Sequence, residues 1–93
     1  MAILRHPGWP TVSVTVRFFA GARAAAGVDE EKFALIEPAT LATLIEELSD
    51  RFGADLVRVL AASSFIVDEV AATPDRVLAD GARVDVLPPF AGG

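Results

Sequence analysis

Val12-Ser-Val-Thr-Val-Arg-Phe-Phe19 alternates apolar and polar side chains up to its last residue. A period of two residues, built from β-branched and aromatic side chains, is typical of a half-buried β-strand. One face of this strand is expected to supply the core with Val12, Val14, Val16 and Phe18. The opposite face would then carry Ser13, Thr15, Arg17 and Phe19.

A short helix and a second strand are predicted to follow. The alanine-rich segment 20–27 ends in Gly27, which is typical of a helical turn closed by glycine. Residues 28–31 indicate a turn, and residues 32–37 indicate a strand. Because the two strands are close in sequence, we expect them to pair antiparallel.

The main helix is predicted between Thr40 and Gly53. Thr40 suits the N-cap position, and Gly53 suits the end of the helix. One apolar stripe recurs at helical spacing and comprises Leu41, Leu44, Ile45, Leu48 and Phe52. A shorter second helix is predicted over residues 54–62.

The last third of the chain is predicted to contain short strands and a closing strand. We expect a strand over 64–68, a segment 69–72 that continues it or pairs with it, and a loop over 73–81. The closing strand, 82–87, must run parallel to the first strand in order to lie beside it. This order predicts an α+β fold, the β-grasp of ubiquitin, with a mixed sheet of four to five strands and one main helix packed across it.

The chain is therefore divided into a flexible leader, 1–11, a β-grasp domain, 12–87, and an extended tail, 88–93, that ends in Gly-Gly. Proline stiffens the tail and glycine makes its tip thin, which suits entry into the active site of another protein. In a parallel arrangement Phe19 and Leu87 would form an exposed apolar patch at the root of this tail. We interpret the patch as a docking surface, with incidental exposure as the alternative.

Composition excludes several classes of chemistry. The chain has no cysteine, which removes disulfides, thiolate catalysis and cysteine-bound metal, and its one histidine, His6, lies in the leader. We therefore expect no metal site. A net charge of −5 argues against nucleic acid or an anionic membrane as partner. No apolar run approaches the roughly 20 residues that span a bilayer, and no secretory signal is evident, so we expect a cytoplasmic protein.

Three segments of the chain resemble one known family. They are Val14-Thr-Val-Arg-Phe-Phe-Ala-Gly-Ala-Arg23, Leu41-Ala-Thr-Leu-Ile-Glu-Glu-Leu48 and the closing stretch from Leu78 through Pro88-Pro-Phe-Ala-Gly-Gly93. Together they resemble the small subunit of molybdopterin synthase, a ubiquitin-like sulfur carrier, over residues 12–93. One departure is Val67-Asp68-Glu69, where relatives often carry an asparagine. That departure leaves the local turn open.

The resemblance implies that Gly93 is the reacting residue. A ubiquitin-activating-like adenylyltransferase would use MgATP to adenylate its carboxylate, and a sulfur donor protein would convert the adenylate to a thiocarboxylate. The tail would insert into the large synthase subunit and give its sulfur to cyclic pyranopterin monophosphate. The residues implied to bind the partner are Pro88, Pro89, Phe90, Ala91 and Gly92.

The same resemblance implies a division of labour between subunits. The chain would be the small subunit of a sulfurtransferase, expected as a heterotetramer, while the isolated chain is a carrier that holds no cofactor stably. Three other functions fit the same tail. They are a sulfur carrier for thiazole or cysteine biosynthesis, a ubiquitin-like modifier of lysines, and a plain binding module whose Gly-Gly end is a coincidence.

Overall fold

Residues 8–89 are described by the computed structural model, which shows a mixed β-sheet with helices packed on one face. Within these residues there are seven strands, namely β1 (Thr11–Phe18), β2 (Glu30–Ile36), β3 (Ala39–Thr40), β4 (Ser64–Val67), β5 (Val70–Ala72), β6 (Val77–Leu78) and β7 (Ala82–Leu87). The three helices are α1 (Ala20–Ala26), α2 (Leu41–Phe52) and α3 (Ala54–Ala62). The predicted leader, 1–11, and the predicted tail, 88–93, lie only partly within the described residues. The division of the chain into leader, domain and tail therefore stays a prediction.

Strand β1 has the alternation that the sequence predicts. Its four inward-facing apolar side chains are at most 2% exposed, and they are Val12, Val14, Val16 and Phe18. The strand ends one residue earlier than predicted, because Phe19 has become the N-cap of α1. The Phe19 carbonyl accepts hydrogen bonds from the N–H groups of Ala22 and Arg23, which starts the helix.

The main sheet has the strand order β2-β1-β7-β4-β5. Strand β7 runs parallel to β1, whereas β1–β2, β4–β7 and β4–β5 are antiparallel. The parallel pairing confirms the predicted β-grasp arrangement. Strand β7 is thus central, with a partner on each side, and the tail leaves from its carboxyl end.

Helix α2 begins and ends where its residue types indicate. The Thr40 hydroxyl accepts the N–H of Thr43, while the Thr43 hydroxyl accepts the N–H of Thr40, which forms a capping box. The N–H of Gly53 donates to the carbonyl of Ser49 at the other end. The leucines of the predicted stripe, Leu41, Leu44 and Leu48, are fully buried, while Ile45 and Phe52 pack partly buried at its margin.

Small elements of the fold differ from the sequence prediction. Strand β2 begins at Glu30, inside the predicted turn, because pairing with β1 extends to Arg17 opposite Glu30. The predicted loop 73–81 contains β6, which pairs with β3 through only two residues on each side. Two residues are too few to show the period-two alternation of a strand, so the sequence could not predict this ladder.

Candidate docking site at the root of the tail

Strand β7 ends at Leu87 because Pro88 and Pro89 have no N–H group to donate to a neighbouring strand. Leu87 is opposite Ser64 of β4, the last register pair on that side. Leu87 and Pro88 are half-buried, whereas Pro89 is exposed. The remaining predicted tail residues, Phe90, Ala91, Gly92 and Gly93, lie outside the described residues, so their roles stay predictions.

Phe19 and Leu87 lie at the same end of the two parallel strands. The last register pair of β1 and β7 is Phe18 with Val86; Phe19, the N-cap of α1, and Leu87, the last residue of β7, come directly after them. The N–H of Phe19 donates to the Val86 carbonyl at 3.3 Å, which holds the two chain segments together at this point. Phe19 is 37% exposed and Leu87 is half-buried. We call these two residues the root patch; its role in docking stays a prediction.

An ion pair that the sequence analysis did not identify lies beside the root patch. Nε of Arg17 donates to Oδ1 of Asp85 at 2.8 Å, and Nη2 donates to Oδ2 at 2.9 Å. The guanidinium carbon of Arg17 also lies 5.5 Å from the centroid of the Phe19 ring. Arg17 and Asp85 are opposite each other in the parallel pair, so the contact depends on a strand register that the sequence analysis did not predict.

The electrostatics of Arg17 follow from its neighbours. The hydrogen bonds and the negative charge of Asp85 raise the pKa of the Arg17 guanidinium above its ordinary value, and the carboxylates of Glu30 and Glu69 act in the same direction. A paired guanidinium and carboxylate in fork geometry is stronger and more directional than an ordinary surface ion pair. Arg17 is therefore a cation bonded to Asp85, with Glu30 opposite it on β2.

A row of polar side chains lies next to this pair on the helix-free face of the sheet. Thr15 is opposite Lys32 on β2 and opposite Arg83 on β7. Within residues 8–89, the side chains of Lys32 and Arg83 form no ion pair. Arg83 is thus a cation on the same strand and face as Asp85 but without the constraint that holds Arg17.

The turn that the sequence left open is a tight hairpin loop. Asp68 and Glu69 join β4 to β5 with φ of 49° and 71°, a two-residue loop with positive φ at both positions. The Asp68 carboxylate accepts the N–H of Arg83 at 2.9 Å, and the Asp68 N–H donates to the Arg83 carbonyl at the same distance. These bonds fasten the loop to β7, opposite the side of that strand that pairs with β1.

The described residues contain no buried polar site. Across residues 8–89, no polar or charged side chain is buried, and no three metal-binding side chains come together. No helix in that same range is long and apolar enough to cross a membrane. The arrangement fixes the end of β7 at Leu87 beside the root patch.

Comparison with known proteins agrees with the fold. The sequence profile of the ThiS family matches residues 16–93. A protein assigned as molybdopterin converting factor subunit 1 from Pyrococcus furiosus is 34% identical, with a TM-score of 0.78 over 85% of this chain and 99% of that one. A chain in the complex of subunits 1 and 2 of the molybdopterin-converting factor from Helicobacter pylori is 26% identical, with a TM-score of 0.61 over 88% of this chain and 100% of that one.

Two further comparisons give no information about function beyond the fold. SAMP1 from Haloferax volcanii has a TM-score of 0.78 over 87% of this chain and 99% of that one, at 22% identity. At that identity the likeness concerns the fold alone. A comparison with curated protein sequences gives no significant match.

Proposed function

The chain belongs to the ThiS family and has the ubiquitin-like fold of its sulfur carriers, and from this we propose that it is the sulfur-carrying small subunit of molybdopterin synthase. The molybdopterin role is favoured over other sulfur-carrier roles by the 34% identity to the Pyrococcus furiosus subunit over 85% of this chain. The observation that carries the proposal is that β7, a central strand of the sheet, ends at Leu87 beside the exposed Phe19 and is followed in sequence by the predicted tail.

The direction and reach of the tail suit delivery of its end into a second protein. Strand β7 is held by β1 on one side and by β4 on the other, so the point of departure at Leu87 is fixed. Pro88 and Pro89 restrict the backbone that follows. The six residues from Pro88 to Gly93 can span at most about 20 Å when extended. That length is enough to bring the carboxylate of Gly93 into a cleft while the sheet stays outside.

The chemistry proposed for Gly93 needs no side chain from this protein. A carboxylate is a poor electrophile, and adenylation with MgATP gives it AMP as a good leaving group. Sulfur at the sulfide level from a sulfur donor protein then displaces AMP and leaves a thiocarboxylate, a sulfur nucleophile; if the donor carries a persulfide, a thiol must reduce the acyl disulfide that forms first. Attack of the thiocarboxylate sulfur on cyclic pyranopterin monophosphate forms an acyl-sulfur bond, and its hydrolysis by water returns the carboxylate and leaves the sulfur on the pterin; two such transfers complete the dithiolene. The isolated chain is accordingly a carrier, and the activating enzyme and the large subunit supply the catalytic groups.

The root patch is proposed to contact the large subunit where the tail enters it. The Helicobacter pylori relative is a subunit of a complex of subunits 1 and 2, which supports a large-subunit partner for this chain. Phe19 offers an aromatic side chain next to Leu87, and aromatic side chains are enriched at protein interfaces. A heterotetramer in the cytoplasm, with the activating enzyme and the sulfur donor as transient partners, completes the proposal.

Reconstitution tests this function directly. Purified protein carrying a Gly93 thiocarboxylate is mixed with the large subunit and cyclic pyranopterin monophosphate, and molybdopterin is measured. We expect product in proportion to thiocarboxylate, and none from the unmodified carboxylate form used as the control. Absence of product from intact thiocarboxylate would refute the proposal.

The same protein preparation separates the other sulfur-carrier and modifier functions. Capture of a thiazole synthase in place of the large subunit would favour a carrier for thiazole biosynthesis. Lysine conjugates on a denaturing gel that disappear when Gly93 is deleted would favour a protein modifier.

A further inference from the structure

The guanidinium of Arg17 contacts Asp85 and the Phe19 ring, and part of it is exposed to solvent. Two of its five N–H groups donate to Asp85, and the other three have no acceptor in the described part of the chain. The Arg17 side chain is 39% exposed and that of Asp85 only 19%. Arg17 therefore offers donors to solvent beside the root patch while its partner carboxylate is mostly covered.

The conformation of Arg17 is already restricted in the free protein by its contacts with Asp85 and Phe19. A free arginine side chain loses rotamer entropy when an interface orders it. Here the fork to Asp85 and the contact with the Phe19 ring already restrict it, so ordering on binding costs less. Arginine is one of the residue types most enriched among the hot spots of protein interfaces.

We propose that Arg17 is the polar anchor of the root patch and donates its remaining N–H groups to uncharged oxygen acceptors of the partner, such as backbone carbonyls or side-chain amides. This inference rests on the proposed function, because it takes the large subunit as the partner. Phe19 would supply the apolar part of the contact and Arg17 the directional part.

The carboxylates near Arg17 favour an uncharged acceptor on the partner over a carboxylate. Arg17 carries one positive charge; Asp85 is bonded to it, Glu30 lies opposite it on β2, and the charge of Glu69 also acts on it. A fourth carboxylate from the partner would be repelled by these three, whereas an uncharged oxygen would not. The contact should therefore depend little on ionic strength.

The test compares Arg17→Lys with the matched variant Arg83→Lys. Both substitutions keep a positive charge and remove a guanidinium group from the same face of the sheet. Only Arg17 is paired with Asp85 and lies beside the root patch. Affinity for the purified large subunit is measured by calorimetry at low and high salt, and thermal unfolding is measured on the free variants. We expect Arg17→Lys to weaken binding about tenfold at both salt concentrations, and Arg83→Lys to leave it within about twofold.

A second measurement is independent of any variant. In ¹⁵N-labelled wild-type protein, the Arg17 Nε–Hε and Nη signals should shift and gain protection from exchange when the large subunit binds, while those of Arg83 stay unchanged. Equal affinities for the two variants, or unchanged Arg17 signals in the complex, would overturn the inference and leave the proposed function standing. A strong salt dependence of the Arg17→Lys effect would overturn the uncharged acceptor. Failure of wild-type protein to bind the large subunit would overturn both proposals.

Discussion

Replacing Phe19 by alanine should weaken binding of the large subunit while leaving the fold intact. A phenylalanine side chain covers about 200 Å² when fully buried, so the 37% exposed fraction of Phe19 offers about 75 Å² to a partner. At about 25 cal/mol per Å², burying that area contributes about 2 kcal/mol. We therefore expect the Kd to rise about tenfold to thirtyfold in Phe19→Ala.

The matched control is Ile36→Ala. Ile36 is also 37% exposed, but it lies on β2 opposite Thr11, at the far end of β1. The separation from Phe19 is about 25 Å along the strand. Calorimetric titration of the large subunit should give an unchanged Kd for this variant. Equal weakening in both variants, or none in Phe19→Ala, would show that the root patch does not dock.

Three further changes test the tail, the core and a local ionisation. Deletion of Gly93, or addition of a C-terminal tag, should abolish adenylation measured by pyrophosphate release, with thermal unfolding unchanged; adenylation of either variant would refute the role of the free chain end. Leu44→Ala should lower the free energy of unfolding by about 3 kcal/mol in denaturant titrations, since Leu44 is fully buried. The Thr73 hydroxyl donates to the Asp75 carboxylate and lowers its pKa, so Thr73→Val should raise that pKa towards its ordinary value in an NMR titration. Because the folded-state pKa is the lower one, this stabilisation exists above the unfolded-state pKa and is lost as pH falls through the folded-state value. An unshifted Asp75 pKa in the variant would contradict the hydrogen bond.

Local chemistry in the sequence predicted the main elements. The period-two alternation of β1 and the capping threonine of α2 act over a few residues, so the sequence alone contains them. The parallel β1–β7 pair followed from the order of elements, because a last strand that lies beside the first in a β-grasp fold runs parallel to it. These features sufficed to place the tail after a strand that lies beside β1, while the pairing of β7 with β4 comes from the structure.

Other features depend on contacts between distant segments and had no local signal. The β3–β6 ladder joins residues 39–40 to residues 77–78 through two pairs, too few for a pattern. Aspartate tolerates a positive φ better than most residues, but the positive φ of Glu69 is unusual for its type, and the bonds between Asp68 and the Arg83 backbone help to hold the loop. The Arg17–Asp85 pair required the register of the parallel strands, which the sequence constrained only in direction.

The central claim is that the carboxylate of Gly93 carries sulfur. The most direct test is intact-mass spectrometry of this protein after incubation with its activating enzyme, MgATP and a sulfur donor. We expect a mass increase equal to the exchange of one oxygen for one sulfur, located at Gly93 by fragmentation. An unchanged mass with a fully active enzyme, or sulfur found at any other residue, would contradict it.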